Sequence, residues 1–138
     1  MKISDLETPY KRHAKLTDSG AVYQEMLDIK EWSKEAMVAF YIDTAGKVIS
    51  REILSIGILN ASIIHPREIF RTAIIKNANA IILSHNHPSG NVKPSEEDIR
   101  ITKQVKTAGD IIGIKLLDHV IVAKKDYYGF NDNDELGD

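Results

Sequence analysis

There is no cysteine anywhere in the chain. That excludes disulfide staples, thiolate metal sites and a cysteine nucleophile, so any transition metal must be held by imidazole, carboxylate and water. Aromatic residues are few, 7% with a single tryptophan, and Trp32 is read as packing. Neither sign of charge dominates. The 18 basic and 20 acidic residues leave a formal net charge of −2, which provides no electrostatic footprint for nonspecific binding to DNA or an anionic membrane. No apolar stretch approaches the ~20 residues of a spanning helix. The opening MKISDLETPYKRHAKL holds no apolar run of the signal-peptide kind. These absences predict a cytoplasmic protein without a membrane partner.

What is present suits a globular domain. The chain has 138 residues, 43% of them hydrophobic, enough to bury a core without staples. A polar arm over 1–17, one domain over 18–130 and an acidic tail, NDNDELGD, over 131–138 are expected, the tail frayed. Residues 18–32 read as a helix, with Asp18 or Ser19 as N-cap and Val22, Met26 and Ile29 at helical spacing. EAMVAFYI and KVISREILSI, separated by DTAG, predict a β-hairpin. In HPREIFRTAIIKNA, Pro66 suits the first helical position, and Ile69, Phe70, Ala73 and Ile74 make one apolar stripe. AIIL at 80–83 reads as a strand covered on both faces. A further helix enters at Pro94–Ser95 and closes at Gly109, and KLLDHVIVA is the last strand. Strands alternating with helices imply a three-layer α/β domain with a mixed β-sheet flanked by helices.

Chemistry concentrates in SHNHPSGNVKPSEED, residues 84–98. On a strand continued to residue 87, His85 and His87 share a face. Pro88 has no N–H to give the ladder, and Gly90 and Asn91 turn the chain back. Asp98 lands in the first turn of the next helix, where it can face the strand end. Two imidazoles and a carboxylate leave a coordination position open for water, as catalytic zinc sites do. The plainer reading is also open: Ser95-x-x-Asp98 matches a helix capping pattern.

H-x-H-P followed by S-x-x-D resembles the JAMM motif of JAB/MPN-domain metalloproteases. With HPREIF upstream and GIKLLDHVIV downstream, the chain resembles the RadC branch of that superfamily from about residue 35 to 123. The resemblance implies a cytidine deaminase-like architecture, His85, His87 and Asp98 as ligands of Zn²⁺, and Ser95 as the hydroxyl that assists a developing oxyanion. It also implies an upstream glutamate as general base, best matched by Glu52 in ISREILSIG. Read as a strand, Glu52 shares a face with Val48, Leu54 and Ile56, where desolvation favours base chemistry. Glu68 is the rival, at a helix start that favours an acid anyway.

The activity implied is zinc-dependent hydrolysis of a peptide or isopeptide amide, with an unidentified peptide or protein as substrate. The alternative is a DNA-repair accessory or nucleic-acid-binding module with a structural or vestigial metal site. DNA is a partner the RadC label suggests and the net charge does not support. A non-haem iron centre is a third use of the same ligands. Asp118 and His119 interrupt an apolar strand, as supports of an imidazole or as a satisfied core pair. His65 shapes a loop, and His13 sits in a solvated KRHAK cluster. RadC-type proteins usually carry a helix-hairpin-helix-like region before this domain, for which residues 1–17 leave no room.

Overall fold

The computed structural model describes residues 14–57 and 62–137. His13 and most of the expected arm lie outside the described residues. Asp18 caps the first helix, α1 (Ser19–Gln24), by accepting the Ala21 N–H at 2.8 Å. The helix stops well short of residue 32. Arg51 donates to the Glu25 carbonyl at 3.0 Å and pairs with Asp28 at 2.7 Å. The Ile29 N–H then turns to Met26 O rather than continuing the ladder to Glu25. Turns carry the chain onward, yet Val22, Met26 and Ile29 are all buried as their spacing predicts.

A hairpin follows, β1 (Ala36–Ile42) and β2 (Val48–Ile56), its turn held by Asp43 Oδ1 accepting from Ala45 and Lys47 amides. Helix α2 (Pro66–Ile75) starts on its proline, and strand β3 (Ala80–Asn86) is buried throughout. Helix α3 (Glu96–Ile112), strand β4 (Lys115–Val122) and a short strand β5 (Tyr127–Gly129) complete the described elements. The sheet order is β2-β1-β3-β4-β5. Only β3 and β4 run parallel, and every other neighbouring pair is antiparallel. This is an α/β fold with a mixed five-stranded sheet.

Two apolar clusters lie on opposite faces of that sheet. Val38, Phe40, Ile82 and Val120 face α1 and its following turns. Met37, Tyr41, Ile81 and Leu83 face Ile69 and Phe70 of α2 and Ile101 and Val105 of α3. With helices on both faces, β1 and β3 are buried end to end, which is why they read as unbroken apolar runs.

Several expectations need correction. Gly109 does not close α3. Gly113 does, as a left-handed C-cap with φ 88°. Gly109 serves packing instead, since a Cβ there would stand 2.5 Å from Ile114 O and 3.2 Å from Phe70 Cζ. Ile74 is outside the α2 stripe and mostly exposed. Residues 131–135 and 137 are exposed, while Leu136 packs on the second cluster and Ser19 Oγ donates to Asp132. Leu16 is buried in the first cluster. Residues flanking 18–130 thus touch the core, Leu16 from one side and Leu136 from the other.

Candidate metal centre

β3 delivers the histidines. His85 lies opposite Met37 of β1 and so faces α3. The strand ends at Asn86, and one further ladder bond, His87 N–H to Val122 O at 2.8 Å, carries the alternation on to His87. α3 delivers the acid. Ser95 is its N-cap: the Asp98 N–H donates to Ser95 Oγ at 3.0 Å, and the Ser95 N–H donates to Asp98 Oδ2 at 2.8 Å. This capping box turns the Asp98 carboxylate toward the strand end, so the cap and the candidate ligand are one arrangement.

The three side chains meet. His85 Nε2 is 2.9 Å from Asp98 Oδ1, and His87 Nε2 is 3.1 Å from Asp98 Oδ2. The two Nε2 atoms are 2.9 Å apart. Among the described residues, this is the group whose ligand atoms all lie within 4.8 Å of one another. All three are buried, His85 and Asp98 at no more than 2% exposure.

Protonation favours a cation here. Burial alone would raise the Asp98 pKa, but His85, His87 and the Ser95 amide outweigh it and hold the carboxyl far below the usual carboxylate range. Burial alone would lower His87, but Asp98 and the Asn91 carbonyl raise it. His87 Nδ1 is 2.7 Å from Asn91 O. A carbonyl only accepts, so Nδ1 carries a proton and the neutral ring keeps its lone pair on Nε2. With Nδ1 committed to Asn91, the raised pKa favours a proton on Nε2 facing Asp98, and a shared metal cation would take that same position. Two imidazole nitrogens and a carboxylate fit zinc, and the donor set alone also fits iron.

The other flagged residues separate. His119 is fully buried, 2.8 Å by its Nε2 from His85 Nδ1. Burial, with His85 acting in the same direction, pushes its pKa well down. Asp118 points to the opposite face, where its Oδ1 accepts the His119 and Asn131 amides at 2.8 and 3.0 Å. Burial raises its pKa against those two bonds, and Asp132 adds to the rise. His65 and Glu68 are exposed at the start of α2. Trp32 packs on the first cluster.

Glu52 is not where strand alternation alone would put it. β2 carries irregularities opposite Met37/Val38 and Tyr41/Ile42. They send Val48 and Ile56 to the α1 side, while Glu52, paired with Ala39, faces α2 with Leu54. Its side chain is 42% exposed and meets Lys76 Nζ at 3.7 Å, so the expected desolvation is missing. Its row runs through Ala39 and Leu83. That is two strands across and one row along from His85, about 10 Å by about 7 Å.

A different glutamate stands closer. Antiparallel pairing of Met37 with His85, extended by two residues, sets Glu35 against His87. The charge of Glu35 acts on His87, raising its pKa. Its segment is clamped by Asn86, the residue between the histidines: Asn86 Oδ1 accepts the Ala36 N–H at 2.7 Å, and Nδ2 donates to Trp32 O at 3.1 Å and Lys34 O at 3.0 Å. The Glu35 carbonyl accepts from Gly57 at 2.8 Å. The sequence signal that could have found it is slight, an acid just ahead of a fully apolar strand.

Comparison with known proteins agrees with this geometry. The family profile described as RadC-like JAB domain matches residues 16–136. UPF0758 proteins of Chlorobium chlorochromatii and Thermotoga maritima are 44% and 43% identical to the chain over 119 and 122 residues, covering 86% and 88% of it and 54% and 55% of those proteins. A UPF0758 protein of Finegoldia magna is 51% identical over 92 residues, 67% of this chain and 41% of its own. The chain spans about half the length of the relatives it matches. With 121 consecutive residues matched, 16 through 136, and the motif side chains gathered at one strand end, the chain belongs to the RadC-like JAB domain family.

Proposed function

We propose that this domain is a zinc-dependent hydrolase of the JAMM type that cleaves a peptide or isopeptide amide in a cytoplasmic peptide or protein substrate. The observation that carries the reading is the buried meeting of His85 Nε2, His87 Nε2 and both Asp98 oxygens, beside a glutamate whose charge acts on His87. JAB/MPN domains include metalloproteases. Zinc, when bound, supplies Lewis acidity that polarises a carbonyl and makes water nucleophilic near neutral pH.

The chain's own groups supply the rest. His85, His87 and Asp98 hold the ion and leave one position open. We assign the general base to Glu35 rather than Glu52. Glu35 adjoins His87, whereas Glu52 is ion-paired to Lys76 on an edge strand. In this scheme the Glu35 carboxylate takes a proton from the attacking water and passes it to the leaving amine. Ser95 is exposed, and its oxygen already accepts the Asp98 amide. Its hydroxyl proton is free to meet the oxyanion that forms from the substrate carbonyl.

The test begins with elemental analysis of untagged protein. About one zinc per chain is expected, lost in His85→Ala. Glu35→Gln should keep the metal and lose turnover on a peptide and isopeptide library, while Glu52→Gln should keep both. Absence of zinc from the wild type after reconstitution would sink the reading and favour a nucleic-acid-binding module, to be checked by salt-dependent DNA binding.

A further inference from the structure

A buried hydroxyl sets the direction of a hydrogen-bond chain that ends on a ligand atom. Thr102 Oγ1 lies 2.7 Å from Asp98 O and 2.5 Å from His119 Nδ1. The carbonyl can only accept, so the one hydroxyl proton goes to Asp98. The hydroxyl oxygen must then accept from a proton on His119 Nδ1. In the neutral His119 ring this leaves the lone pair on Nε2, 2.8 Å from His85 Nδ1. His85 therefore donates from Nδ1, and in its neutral ring the lone pair sits on Nε2, the atom that faces His87 and Asp98.

The His119 ring is pinned for this task. Phe130 stacks on it with centroids 4.9 Å apart and planes 6° from parallel. The Phe130 N–H donates to His119 O at 3.0 Å, and Asp118 Oδ1 receives the His119 N–H at 2.8 Å.

We propose that Thr102 and His119 are positioning residues that lock His85 in the tautomer able to bind a metal ion through Nε2. The inference rests on the metal-site reading above, although its hydrogen-bond logic holds in the metal-free protein. Thr102→Val keeps the shape and removes the acceptor. His119 then moves its proton to Nε2 and points it at His85 Nδ1. His85 in turn becomes protonated on Nε2, the ligand atom, and metal must displace that proton to bind.

Two measurements test this. Nitrogen-15 NMR of the metal-free full chain, labelled at histidine, reads the His85 tautomer. Protonated Nδ1 is expected in the wild type, and protonated Nε2 in Thr102→Val. Competition for Zn²⁺ against a chromophoric chelator reads affinity. Thr102→Val should bind zinc about 10–100-fold more weakly, the usual effect of losing a support behind a metal ligand, and Thr102→Ser should return it to the wild-type value. Protonated Nε2 in the wild type overturns the proposal, as does unchanged zinc affinity in Thr102→Val. A wild type that binds no zinc overturns the metal reading instead, and the tautomer then decides the relay alone. That spectrum needs only the wild type, so it decides even if Thr102→Val fails to fold.

Discussion

Replacing Asn86 with alanine removes three hydrogen bonds at once and frees the segment that carries Glu35. The Ala36 N–H, buried at the first position of β1, loses its 2.7 Å acceptor, and leaving such a group unsatisfied costs about 1–3 kcal/mol. Trp32 O and Lys34 O lose donors at 3.1 and 3.0 Å. These bonds are only partly buried, so water recovers some of the loss, about 0.5 kcal/mol or more remaining for each. The total is about 3 kcal/mol. For a domain of this size that corresponds to a drop of about 10 °C in Tm. Asn86→Asp should cost at least as much, because it keeps the acceptor for Ala36 but sets an oxygen against two carbonyls. Calorimetry together with urea unfolding at constant m gives the number. A Tm for Asn86→Ala within about 2 °C of wild type would refute the reasoning, because residues 32–36 would then be held by something else.

Gly109→Ala should destabilise the protein by about 1–3 kcal/mol, although alanine is the better helix former. Its Cβ would press on Ile114 O, a backbone atom that cannot swing away, and a higher Tm in the variant would contradict this. Glu52→Gln should leave Tm and zinc content unchanged, since a 3.7 Å pair with both partners well exposed contributes at most a few tenths of a kcal/mol. Zinc loss in that variant would restore Glu52 to the site. The metal-free protein should be acid-sensitive. The folded pKa of Asp98 is depressed, so its contribution is present above the unfolded value of 3.8 and is lost as pH falls below it. His87, raised above 6.5, works in the opposite sense, its contribution complete below 6.5 and lost as pH rises through the folded value. Acid titration of Asp98→Asn should show a flatter acid limb than wild type, and identical limbs would remove Asp98 as the source.

The grouping of His85, His87 and Asp98 was legible because each needs only local geometry. Strand alternation puts His85 and His87 on one face, and a helix start turned by Ser95 brings Asp98 back within a short loop. The glutamate beside them was not legible, because its position depends on strand pairing between distant segments. Glu35 meets His87 only through the register of β1 on β3. Glu52 looked suitable because alternation was assumed unbroken, and two irregularities in β2 reassign its face. In the same way the turns after α1, which ends at Gln24, are held by Arg51, a residue from another element that takes the Glu25 carbonyl.

Composition and spacing by themselves settled that thiolate chemistry is impossible, that helices alternate with strands around buried strands, and that two imidazoles and a carboxylate lie within reach of one ion. Those properties follow from residue type and from periods of two and 3.6, which any window of the chain carries. Only the tertiary structure decided which glutamate adjoins the histidines, that Gly109 is a contact rather than a stop, and that His119, Thr102 and Phe130 stand behind His85. Each of these depends on a strand register or a close approach between elements far apart in the chain, and local periodicity does not encode where such elements meet.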